Sequence, residues 1–303
     1  MSLCLCVVGG AAGGASDTPQ PETAPHYTGS QFARQIEGMD ASRREQAVLV
    51  AILSGNLPPF LRTLVPIALD YHAPGGKTLS VTLFVMPEYL AIGSDQDFLR
   101  IPMTLHTALT VASRMGFVLP TRKIVDAIYR QSGFHFSPEP MTPGPQMGST
   151  EYYRVHNEKI DAQSRARGGR RGTLVSGHKK DLVISPRLTT NPEKLAIYGW
   201  HQLNGVPIQP LSTVHGACYA DYSHGIRMVS ETVLVDGVRR SIYDLLDDPD
   251  LAGVISDEGP IRNLRTFVTR QGLESACGQP TPALSPGSRT GPHLMSLTQR
   301  NPR

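Results

Sequence analysis

Residues 64–85, LVPIALDYHAPGGKTLSVTLFV, place two runs rich in β-branched, aliphatic and aromatic side chains on either side of Pro74-Gly75-Gly76. Branched side chains pack well on a pleated surface and a Pro-Gly-Gly triplet reverses the chain, so the stretch predicts a β-hairpin. On its N-terminal side, within residues 31–61, Phe32, Ile36, Ala47, Val48, Val50, Ala51 and Leu53 recur near helical spacing, and Gly55-Asn56 with Pro58-Pro59 ends the run. That predicts one or two helices lying on a core. On its C-terminal side, PMTLHTALTVASRMG (102–116) reads as a helix capped by Gly116, and LPTRKIVDAIYRQSG (119–133) as a second, beginning after Pro120.

Residues 137–150 are proline-rich, and RARGGRRG (165–172) is an arginine-glycine loop, so 137–172 is expected to connect two regions. Beyond it the chain turns β-rich through TLVSGHKKDLVIS (173–185), LAIYGWHQLNG (195–205) and residues 207–237, with a short helix and a helical turn in 239–256. The expected fold is α+β: a helix-and-hairpin N-terminal region (31–136) packed against a β-rich C-terminal region (173–287). Residues 1–30 are expected to be a leader and flexible spacer, and 288–303 a disordered tail.

With 303 residues, 40% of them hydrophobic, the chain is long enough for a substantial core. Its 29 basic and 26 acidic residues leave a net charge of +3, which gives no reason to expect nucleic acid or an anionic membrane surface as partner. The opening MSLCLCVVGGAAGGAS ends in the small residues of an export cleavage region, and no segment approaches the roughly twenty apolar residues of a membrane span. A secreted or periplasmic protein is expected. Cys4 and Cys6 would leave with the leader, and Cys218 and Cys277 would remain, more readily as a disulfide than as a nucleophile with a spare.

Reactive side chains concentrate in VHGACYADYSHGIRM, residues 214–228. Four of the ten histidines, His178, His201, His215 and His224, sit at polar breaks in strand-like patterns, and neighbouring strand ends would bring them together. Zinc-metallopeptidase, phosphate-loop and nucleophile-elbow signatures are absent. Two or three neutral imidazoles from that set, with Asp181 or Asp221, would hold zinc and an activated water. Alternatively Cys218 would serve as nucleophile beside His215 or His224, unless it is bonded to Cys277. Strand alternation would set Asp221, Ser223 and Gly225 on one side and Tyr222, His224 and Ile226 on the other. Arg227 would then pair with Asp221 or grip a carboxylate of a ligand.

The pair VHGA and YSHGIRM resembles the L,D-transpeptidase core, in which an HG element precedes an SHG-Cys-x-Arg element on neighbouring strands. His215 and Gly216 match the first element, and Ser223, His224, Gly225 and Arg227 the second; Ile226 stands where the family has its cysteine. SGHKKD and YGWH are also similar to the Ser-x-His and Trp-His phrases of D-Ala-D-Ala-type metallopeptidases. These resemblances imply a cell-envelope substrate and a histidine base. The expected function is an exported hydrolase or transferase with a His-centred site (His215, His224, Arg227, Ser223, Tyr222, Cys218), acting on amide or related bonds of a cell-wall or extracellular polymer. The alternative is a carbohydrate- or peptide-binding module without chemistry, with Tyr198, Trp200, Tyr219 and Tyr222 lining its cleft.

Overall fold

The computed structural model describes residues 26–273 and Cys277. The expected leader, with Cys4 and Cys6, and the expected C-terminal tail lie outside the described residues, while the expected flexible spacer ends earlier than Ser30, because Thr28 caps a helix that begins at Gly29. The hairpin is formed by β1 (Val65–His72) and β2 (Thr78–Val85), antiparallel from Val65 opposite Val85 to His72 opposite Thr78. Leu79, Val81, Leu83 and Val85 turn inward along β2 while the intervening residues face outward, the period-two pattern of a half-buried strand. The remaining strands are β3 (Ala91–Gly93), β4 (Phe98–Arg100), β5 (Phe117–Val118), β6 (Phe134–His135), β7 (Val175–Ser176), β8 (Lys180–Val183), β9 (Ala196–His201), β10 (Pro207–Ser212), β11 (His224–Gly225), β12 (Val229–Ser230), β13 (Thr232–Val235) and β14 (Val238–Ser241).

One edge of β2 carries β1; the other carries β13 at Val81 and Thr82 and β12 at Val85. C-terminal strands therefore complete the sheet that the N-terminal hairpin begins, and β14 and β5 extend it at either end. A second sheet runs in the order β10-β9-β8-β11, with β8 and β11 parallel and the other pairs antiparallel. It carries the candidate site.

The helices are α1 (Gly29–Gln35), α2 (Ala41–Leu53), α3 (Leu105–Met115), α4 (Arg122–Gln131), α5 (Thr150–Ala166), α6 (Pro186–Thr190), α7 (Ile242–Asp247) and α8 (Leu264–Leu273). Thr104 and Thr121 accept from the third residue of α3 and α4, and Gly116 closes α3 in the left-handed region, where the expected cap was. The architecture is α+β. Among the described residues no helix is long and apolar enough to cross a membrane.

The longest helix, α5, lies inside the stretch expected to be a connection. Its inward face is Tyr153, His156, Asn157 and Ile160, at helical spacing but half polar, so no apolar stripe betrays it. Asn157 Nδ2 donates to the Phe98 carbonyl (3.0 Å) and its Oδ1 accepts from the Arg100 backbone (3.1 Å), fixing α5 to β4 through hydrogen bonds as well as apolar packing.

Candidate functional site

The second sheet sorts its polar residues by face, and an irregularity in β9 decides how. Lys180 pairs with Gly199 and with His224, while Asp181 pairs with Tyr198 and Gly225. Paired residues share a face, so Lys180 and His224 stand side by side and Asp181 and Tyr198 lie on the opposite face. Gly199 and Trp200 both have positive φ, 105° and 55°, which is rare for a residue as large as tryptophan. The kink shifts the alternation of β9 by one. Trp200 lands beneath the Lys180 ammonium, 5.1 Å from its ring centre, and His201 joins Tyr198 on the other face, where both hydrogen-bond Asp126 Oδ1 (3.0 and 2.9 Å).

On the Lys180 face, residues 221–223 form a turn, so the strand alternation expected there does not hold. Asp221 Oδ1 accepts from the backbone N–H (2.7 Å) and hydroxyl (2.6 Å) of Ser223, and Oδ2 accepts from the Tyr219 hydroxyl (2.8 Å). The turn brings His224 Nε2 to 4.0 Å from Asp221 Oδ2, a meeting that an extended chain forbids. Burial would raise the Asp221 carboxyl, but the His224 imidazole and the Ser223 and Tyr219 hydrogen bonds outweigh it and hold the group below its usual range. Burial pushes His224 down to about 4; Asp221 opposes this, and Lys180, His215 and Lys179 reinforce it. Neither ring nitrogen of His224 has a hydrogen-bond partner among the described residues. Tyr219 meets the His224 ring edge-on at 5.6 Å, and half-buried His215 stacks on Tyr219 at 4.2 Å, so the two rings roof the buried imidazole.

Elsewhere the same residue types are structural. His178 Nε2 donates to Glu88 Oε1 (2.8 Å), Arg100 Nε donates to Glu88 Oε2 (3.0 Å), and Arg100 reaches Asp161 (2.9 Å). Burial would raise the Glu88 carboxyl, but Arg100 and His178 hold it far below the carboxylate range, while burial pushes His178 down to about 4. The Tyr89 hydroxyl donates to Asp181 Oδ2 (2.7 Å), and burial raises the Asp181 carboxyl to about 6. Burial likewise brings Lys179 down to about 7, with its ammonium donating to the Tyr222 carbonyl.

Several sequence expectations are corrected here. The four histidines do not converge: His178 turns to Glu88 and His201 to Asp126, while His215 and His224 gather near Asp221. Asp181 is engaged with Tyr89 across the sheet from Asp221. Arg227 does not pair with Asp221; fully buried over the Tyr89 ring at 4.1 Å, it donates to the carbonyls of Met86 (3.1 Å) and Val175 (2.7 Å). The Tyr222 hydroxyl accepts from the Met141 backbone (2.7 Å) and so pins the 137–149 segment. Ser223 serves the Asp221 carboxylate. Cys218 is bonded to Cys277, so its sulfur is no thiolate nucleophile in this state. The one set of three His, Cys, Asp or Glu ligand atoms within 4.8 Å of one another, among the described residues, is His106, Cys218 and Cys277, and its sulfurs are joined to each other.

Sequence reasoning missed Lys180, Lys179, Asp126 and Tyr89 as members of these clusters. SGHKKD carried a signal: lysines within a strand flanked by Leu182, Val183 and Ile184 must lie near counter-charges or an aqueous cleft.

Two predictions follow from this packing. A Cβ on Gly225 would stand 2.7 Å from Lys179 Cβ and from the Tyr89 ring, so Gly225→Ala should lower stability by about 1–3 kcal/mol; an unchanged denaturation midpoint would contradict the close approach. The second concerns acid. His178 and His224 are neutral when folded down to about pH 4, and burial depresses His156 too, whereas an unfolded imidazole titrates near 6.5. The unfolded chain therefore binds more protons between those values, and stability rises with pH across the window. Asp181, raised to about 6, acts oppositely, since the folded state holds its proton longer. The histidines outnumber it, so denaturation midpoints should report a gain of about 3 kcal/mol from pH 4 to 6.5; a flat or falling profile would refute the buried neutral imidazoles.

No protein-family model matches the chain, and no characterised protein or solved structure shows significant similarity to it.

Proposed function

We propose that the chain is an exported hydrolase or transferase that acts on amide or related bonds of a cell-envelope or extracellular polymer, with His224 as its general base. The observation that carries this reading is His224 itself: an interior imidazole with both nitrogens unengaged, beside a carboxylate clamped by three hydrogen bonds. Among the described residues His156 also has both ring nitrogens unpartnered, and what sets His224 apart is the carboxylate at 4.0 Å. In this reading the Tyr219–His215 stack swings aside to admit substrate and a water. The imidazole takes a proton from the water as its oxygen attacks the carbonyl carbon. The Lys180 ammonium, steadied over Trp200, balances the charge that develops on the carbonyl oxygen. The carbon–nitrogen bond then breaks, and the leaving amine takes the proton back from the imidazolium. An amine acceptor in place of water makes the same sequence a transfer. Asp221 positions the imidazole and favours its protonated form.

The Cys218–Cys277 disulfide suits an oxidising compartment and supports export to the periplasm or the exterior. The envelope substrate is taken from the L,D-transpeptidase resemblance, but not that family's thiol chemistry, because Ile226 has no nucleophile to offer at the cysteine's position. The histidine positions favour an unassisted water over zinc-bound water as the nucleophile. A pure binding module is less well supported, since Tyr198, Trp200 and Tyr222 are buried and offer no open aromatic platform.

Incubation of the purified protein with isolated peptidoglycan sacculi, followed by labelling of newly formed primary amines, tests the reading. Time-dependent amine release is the expected result. Saturable sedimentation with sacculi and no release would replace the enzyme by the binding module, and neither release nor binding would remove the envelope substrate.

A further inference from the structure

We propose that His106, Cys218 and Cys277 form a second site, which captures one zinc ion when the disulfide is reduced. A ring nitrogen of His106 and the two sulfurs already lie within 4.8 Å of one another. His106 sits in the first turn of α3, and its Nδ1 is 3.1 Å from the Gln271 carbonyl in α8. A carbonyl oxygen only accepts, so Nδ1 carries the hydrogen and the lone pair of the neutral ring is on Nε2. A backbone carbonyl that fixes the tautomer of an imidazole in this way is the usual support of a metal-bound histidine. In the same residue, Gln271 Oε1 is buried without a hydrogen-bond partner among the described residues.

Cys218 is exposed, so a small dithiol can reach the bond. Two electrons pass from the dithiol to the protein sulfurs; the dithiol closes to its own disulfide, and Cys218 and Cys277 become thiols. Each thiol loses its proton on binding zinc, giving two thiolates and one imidazole, with the fourth position left to water. The sulfurs must part to roughly 3.7 Å to sit around a tetrahedral zinc, a movement open to a residue on an exposed loop. The disulfide ties the loop that carries Tyr219, Asp221 and His224 to Cys277, and the ion would keep that tie in a reducing compartment and add one to α3 through His106. Zinc capture by this trio is independent of whether His224 catalyses.

The test uses the full chain with Cys4→Ser and Cys6→Ser, so that only the trio supplies thiols. Protein reduced with a phosphine, desalted without oxygen and titrated with cobalt(II) should develop thiolate-to-cobalt charge-transfer absorption that saturates at one equivalent and is bleached by zinc. The oxidised protein and Cys277→Ser should show none, and His106→Ala should bind at least tenfold more weakly. Circular dichroism of His106→Ala in its oxidised form checks its fold, and His106→Gln serves in its place if alanine is not tolerated. Absence of the absorption in the reduced protein, or undiminished binding by the folded His106 variant, overturns the site.

Discussion

Arg100→Met should lower the stability of the protein by about 3–5 kcal/mol, a large share of the roughly 5–15 kcal/mol that holds a folded domain together. Arg100 is 3% exposed and holds three partners at once: Glu88 Oε2 at 3.0 Å, Asp161 Oδ1 at 2.9 Å and Asn157 Oδ1 at 2.9 Å. Methionine fills similar space and removes the charge, so packing changes little. What remains is the Glu88 carboxylate, buried with only the His178 imidazole and the Tyr89 backbone N–H to solvate it. Such a carboxylate must take up a proton or bring in water, and either response weakens the junction of β4, α5 and β7. The double variant Arg100→Met with Glu88→Gln removes the orphaned charge as well and should recover part of the loss. Chemical denaturation of the two single variants and the double measures the coupling. Additive losses would mean that Arg100 and Glu88 are neighbours without being a unit.

His224→Gln should reduce turnover by about 10²–10⁴-fold on any substrate the protein cleaves, the range expected for loss of a positioned general base. Glutamine keeps the polar character and approximate size of the ring but has no group that accepts a proton near neutrality. The pH profile separates this role from a structural one. Because burial holds His224 at about 4, the rate should be flat across neutrality and fall only on the acid side of about pH 4. Asp221→Asn removes the negative charge that favours the imidazolium, so the acid limb should move lower still. A drop in rate for His224→Gln with no change in the shape of the Asp221→Asn profile would assign both residues to the fold and end the proposal of a base.

Much of the α+β frame was legible because the signals behind it are local. The Pro74-Gly75-Gly76 turn reverses the chain between runs suited to a pleated surface, and Gly116 adopts a left-handed cap that other residues resist. α5 was not legible, because a helix that docks through His156 and Asn157 shows no apolar stripe. The clustering of polar side chains in 214–228 was legible too: Ser223 and His224 lie beside Asp221, and His215 lies near His224.

Which residues face one another there was decided only in three dimensions. His201 parted from His224 because two consecutive positive φ angles at Gly199 and Trp200 reverse the parity of β9, and a tryptophan in YGWH gives no sign that it will adopt one. Glu88, Arg100 and His178 come from separate segments, and only when β4, α5 and β7 pack do they leave water together and require one another. The sequence by itself determined the hairpin, the caps of α3 and α4, and the concentration of imidazoles in the second half, since these depend on backbone sterics and side-chain type within a few residues. The tertiary structure alone decided which imidazoles stay unengaged and which carboxylates stay charged, because burial and partnership across long sequence separations set those properties.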